Sequence, residues 1–152
     1  MENDNIFIWI KAAVVAVASA FSAAFGWMGI LFLAWVCCMV LDWISGTAAA
    51  ASKGKWSSEV ARAGAWHKAG MIIVVVVAFV TDKVVSVSLT NMEWLPFDYK
   101  FLVFPVILVW YIFTELGSIA ENAVEMGAPI PAWLPGMLEA GKDAADKLRG
   151  TK

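Results

Sequence analysis

Apolar residues gather into four long runs separated by short polar segments: Ile6–Phe25, Ile30–Ala51, Met71–Leu89 and Phe101–Ala120. Crossing a hydrocarbon core of about 30 Å takes about 20 helical residues, so each run predicts a membrane-spanning helix. The third, "MIIVVVVAFVTDKVVSVSL", is rich in valine but is still read as a helix. A lone strand at membrane depth leaves its backbone hydrogen bonds unmade. Lys11 lies near enough to the end of its run to snorkel to the boundary. "GWMG" at Gly26–Gly29 predicts a tight turn between helices, and Pro105 is a possible kink in the fourth run. Trp9, Trp27, Trp43, Trp56, Trp66 and Trp94 cluster at run ends, where amphipathic rings suit a membrane–water boundary.

The polar segments set a topology. Ser52–Gly70 carries Lys53, Lys55, Arg62 and Lys68 against Glu59, and the tail carries Lys142, Lys147, Arg149 and Lys152. Between them, Asp82–Lys100 holds Lys83 and Lys100 against Asp82, Glu93 and Asp98. The positive-inside rule puts the basic segment 52–70 and the tail in the cytoplasm, on either side of two spans. With four spans the N-terminus is also inside. If the first run only lies on the surface, three spans remain and the N-terminus is outside; four is the preferred reading. In the tail, 129–152, Leu134, Met137, Leu138, Ala145 and Leu148 recur at roughly helical spacing among charges. This predicts an amphipathic helix, on the inner membrane face or packed on a neighbour. Gly141 leaves a gap in its apolar face.

The expectation is therefore an all-α integral membrane protein. It has one membrane domain over 1–152, three to four transmembrane helices and a C-terminal amphipathic surface helix. Composition agrees. Of 152 residues, 61% are hydrophobic and 16% charged, against about 45–50% and about 25% in soluble domains, and the mean hydropathy is +0.74. A net charge of -2 argues against a nucleic-acid partner. The acidic "MENDN" start does not suit a secretory signal. Cys37 and Cys38 are adjacent, so they point about 100° apart on a helix and read as packing residues rather than a disulfide or metal pair.

Candidate chemistry lies in the polar residues within the runs. Asp42, Asp82 and Glu115 are carboxylates in apolar surroundings, and Ser118 and Asn122 continue a polar stripe from Glu115 along one helix face. Such groups usually face a bundle interior or water. The functional reading is pore lining or an inter-subunit contact; the plain one is solvation at helix ends. Ala12, Ala16, Ala20 and Ala24 form a four-residue spacing that Gly46 and Ala50 repeat. Small residues at this spacing let helices approach closely in lipid, within one protomer or between copies. His67 is the only histidine, and no catalytic set, metal cluster, cofactor motif or phosphate loop is present.

Two stretches resemble the phage-lysis and toxin-secretion holin family, the fourth holin family. The first runs from Asp42-Trp43-Ile44-Ser45-Gly46 through Gly64 and Lys68 to Asp82 and Lys83. The second is a closing element of Glu115, Ser118, Ile119, Glu121, Asn122, Gly127, Pro129, Ile130 and Pro131. The resemblance covers roughly residues 30–140. It implies a non-enzymatic phage or prophage protein of the bacterial inner membrane. Such a protein oligomerises in the bilayer and opens a non-selective lesion for an endolysin or a toxin. The residues alone leave two alternatives: a small oligomeric ion channel or transporter, and an antiholin-type membrane regulator.

Overall fold

The computed structural model describes residues 2–92 and 102–148. Its elements are α1 (Glu2–Phe25), α2 (Trp27–Ser52), α3 (Ser58–Thr90), α4 (Val103–Glu125) and α5 (Leu134–Leu148), and no strand occurs among the described residues. Four of the helices, α1 to α4, are long and apolar enough to cross a membrane. Trp94, Glu93, Asp98, Lys100, Arg149 and Lys152 lie outside the described residues.

The chain divides into two compact units, Met1–Ala34 and Trp35–Lys152. In the first, Gly26 ends α1 in the left-handed region, at φ 59°, and α2 begins at the next residue. The "GWMG" turn is thus a single glycine. Phe21 and Phe32 stack with centroids 5.8 Å apart. Ala12, Ala16 and Ala20 are exposed, as are Ile6 to Ile10.

In the second unit each spanning helix turns one stripe inward, and α2 and α3 leave apolar residues outside. On α3 the buried stripe is Met71, Val75, Ala78 and Asp82, at alternating steps of four and three residues, the spacing that keeps side chains on one helix face. Ile73, Val76, Val77, Val80 and Val84 point out. An exposed valine surface is unstable in water and suited to lipid, since lipid tails are as apolar as the side chains. On α2 the inward residues are Trp35, Cys38, Met39 and Ala49, and on α4 they are Phe104, Pro105, Leu108 and Glu115. Trp35 stacks on Tyr111 at 6.1 Å, and Phe79 meets the edge of Phe104 at 5.5 Å.

α3 begins at Ser58, well before the apolar run that starts at Met71. Hydropathy marks only the part that suits lipid. The stretch before it contains no proline and holds good helix formers, with Glu59 in the first turn facing the positive helix end. Most of the basic segment is therefore helical. Pro105 does not kink α4. It lies in the first turn, where the missing N–H would have had no intrahelical partner.

α4 ends in a Schellman cap. Gly127 sits at φ 89°, its N–H reaches Val124 O at 2.9 Å, and the Ala128 N–H reaches Ala123 O at 3.0 Å. The chain then reverses through the proline-rich segment, and α5 returns antiparallel along α4. Leu138 and Ala145 are buried in that contact. The gap at Gly141 is filled from α4: a Cβ there would come within 2.4 Å of the Phe113 ring. Lys142 Nζ lies 5.2 Å from the centre of the Trp110 ring. α5 thus packs on a neighbouring helix, alongside the middle of a spanning segment.

Candidate functional site: an ion-paired cluster among α2, α3 and α4

The intramembrane polar residues fall into two places. The first lies where α2, α3 and α4 meet. Lys68 Nζ donates to Asp42 Oδ2 at 2.9 Å and to Glu115 Oε2 at 2.6 Å. Asn122 Nδ2 donates to Asp42 Oδ1 at 3.1 Å and to Ser45 Oγ at 3.0 Å, and Ser45 Oγ in turn donates to the Asp42 carbonyl at 3.1 Å. Two carboxylates thus share one ammonium. The side chains of Lys68, Asp42 and Glu115 are only 16%, 17% and 4% exposed.

Helix geometry makes the cluster possible. Ser45, Gly46 and Ala49 follow Asp42 by three, four and seven residues, so they lie on one face of α2, and Ser118 and Asn122 follow Glu115 by three and seven on α4. Gly46 faces Asn122 of α4: a Cβ there would sit 3.4 Å from Asn122 Nδ2, in van der Waals contact. Beside the cluster is an open cleft of about 190 Å³ lined by Asp42, Gly46, Gly64, Lys68, Ser118 and Asn122, among others. At the adjoining helix ends, Lys53 and Glu125 pair at 3.0 Å.

The second place is Asp82, fully buried about 21 Å further along α3 at 1.5 Å per residue. Its Oδ2 accepts from the backbone N–H of Leu102 at 3.2 Å and of Phe104 at 2.7 Å, and its Oδ1 accepts from Val103 at 3.0 Å. The next residue, Pro105, has no N–H to satisfy. α4 has an apolar N-cap residue, Leu102, which makes no side-chain cap hydrogen bond. A carboxylate from another helix does that work, at the end where the dipole favours negative charge.

Of the residues singled out in the sequence, Asp42, Glu115, Ser118, Asn122, Gly46 and Ala50 therefore gather in one region. Asp82 stands apart as a cap. Ala12, Ala16 and Ala20 belong to the separate first unit, and the side chain of Ala24 lies outside the described ones. Lys68, which the sequence offers as a topology charge and as part of the holin-like motif, is the site residue not expected there. Its signal was the Gly64–Lys68 spacing, which places both on one face once α3 is extended back to Ser58. No group of His, Cys, Asp and Glu among the described residues is arranged to hold a metal ion. His67 is exposed.

The family model for the bacteriophage holin family matches residues 19–143. The chain belongs to that family. The holin family is not an enzyme family. An uncharacterized protein of Halalkalibacterium halodurans is 31% identical to this family member over 125 residues, covering 82% of this chain and 87% of the relative. An uncharacterized protein of Listeria innocua is 28% identical over 131 residues, covering 86% and 85%. An uncharacterized 14.9 kDa protein of Clostridium perfringens is 27% identical over 128 residues, covering 84% and 89%. No solved structure matches. The matched region contains every residue of the ion-paired cluster and of the Asp82 cap.

Proposed function

We propose that this holin-family protein assembles with copies of itself in the bacterial cytoplasmic membrane and opens a non-selective lesion. An endolysin, or a secreted toxin, then passes through it toward the cell wall. The observation that carries this reading is the Lys68–Asp42–Glu115 cluster, set within three apolar helices of a holin-family chain. Ionised groups at membrane depth are expensive, and they belong in a bundle interior or against water. Here they hold α2, α3 and α4 together while one side opens on a cleft. The broad apolar faces of α1 and α3 supply surface for lipid or for neighbouring copies.

The same geometry supports an orientation. The Lys53–Glu125 pair joins the ends of α2 and α4, and the basic segment follows directly. That end faces the cytoplasm by the positive-inside rule, and the Asp82 end faces out. The protein acts physically, with no chemical step.

Controlled expression in a bacterium tests this. Growth should stop abruptly, the membrane potential should collapse, and purified protein in vesicles should release a folded marker protein. A host that tolerates high expression with its potential intact sinks the reading. A conductance that passes small ions and retains small dyes favours the channel alternative.

A further inference from the structure

We infer that α5 is the water-facing wall of the lesion, with α4 behind it, so that the charged side of Leu134–Leu148 lines the lumen. The inference rests on the lesion reading above and goes beyond it by assigning the lining. It starts from depth. α4 is a candidate span from Val103 to Glu125, and α5 runs back along it. Gly141 is pressed on Phe113 and Lys142 lies over Trp110, both near the middle of that span. At 1.5 Å per residue α5 is about 22 Å long, so a hairpin in this register carries it well into the bilayer.

The two sides of α5 differ. Leu138 and Ala145 are buried against α4, whereas Glu139, Asp143, Asp146 and Lys147 are exposed. Three acids and a lysine on one short helix are not stable against lipid tails. Leu138 and Ala145 are taken up by α4 and Met137 is exposed beside the charges, so the charged side must meet water wherever the hairpin persists in the membrane. A cleft of about 810 Å³ follows the α4–α5 seam, where Glu121, Glu125 and Glu139 stand beside apolar Phe113, Val124 and Leu138. Asp42, Lys68 and Glu115 pair with one another between α2, α3 and α4, apart from this surface. Hydrated ions of either sign, and then larger solutes, would pass the mixed charges of α5.

The test uses the full chain in planar bilayers and vesicles, with Cys37→Ser and Cys38→Ala as background. Phe113→Cys with Gly141→Cys removes the ring that a side chain at 141 would strike, and allows a disulfide to lock the hairpin. The locked protein should still conduct and release dye. Asp143→Lys with Asp146→Lys should move the reversal potential in a salt gradient toward anion preference while conductance is retained. A locked protein that is silent until reduced, or a double charge reversal that leaves the reversal potential unmoved, overturns the assignment of α5 but leaves the lesion standing. If the unmodified protein releases neither ions nor dye, the lesion reading fails and takes this inference with it.

Discussion

Lys68 and Glu115 are 47 residues apart in the chain, and their charged atoms are 2.6 Å apart in space. The contact joins α3 to α4, and through Asp42, at 2.9 Å from the same ammonium, it joins α2 as well. One cation therefore ties together three helices.

Replacing Lys68 with methionine keeps the bulk and removes the charge, leaving two carboxylates facing each other. Breaking one side of a buried ion pair costs about 3–5 kcal/mol. The cluster opens on a cleft, so the lower end of that range applies. Thermal unfolding of Lys68→Met in detergent should show a clear loss of stability. Adding Glu115→Gln should recover part of it, because it removes the repulsion. A fully stable Lys68→Met would show that the helices are held by their apolar contacts alone.

Asp82→Ala removes the cap of α4. Loss of an N-cap side chain costs about 0.5–2 kcal/mol, and three N–H groups lose their acceptor here, that of Phe104 in a buried position, which points to the upper end. Hydrogen exchange reads this locally: the Val103 and Phe104 amides should exchange faster while the middle of α4 stays protected. Asp82→Asn retains one acceptor oxygen and should fall between the two. Equal protection in Asp82→Ala and wild type would rule the cap out as a stabilising element.

Gly141→Leu places a side chain into the Phe113 ring. Overpacking of this kind typically costs about 1–3 kcal/mol, and α5 can respond by leaving α4. Protease should then cut the tail of the variant sooner than that of wild type, with the spanning helices intact. Phe113→Ala in the same chain makes room and should restore resistance. No change in cleavage would mean that α5 is not held on α4 in the membrane.

Gly46→Leu tests the close approach of α2 and α4. Its side chain would displace Asn122 and with it the hydrogen bonds to Asp42 and Ser45. The monomer should lose about 1–3 kcal/mol, measured in detergent at protein concentrations too low for assembly. A variant with wild-type monomer stability and altered oligomers on native gels would place Gly46 between subunits instead.

Much of the helical architecture was legible in the chain because lipid-crossing length is a local property. Runs of about 20 apolar residues announce themselves. Local pattern misled where the solvent changes. The stretch Ser58–Gly70 carries Glu59, Arg62, His67 and Lys68, so it read as a connection, yet its backbone continues the helix and brings Lys68 to the cluster. In α5, Gly141 weakened an apolar face that Phe113, from another helix, completes.

By itself, the sequence determined the helical class, the apolar segments able to span, and the set of polar residues placed within them. Those follow from side-chain transfer energies and a 3.6-residue period, which act within one segment. Only the tertiary structure decided the partners. Asp42 and Glu115 became one cluster through Lys68, and Asp82 became the cap of a helix that begins 21 residues later. The physical reason is that a charge in an apolar helix demands some partner, and the sequence states that demand. Which group answers it depends on how the helices pack, and that is settled by contacts between residues far apart in the chain.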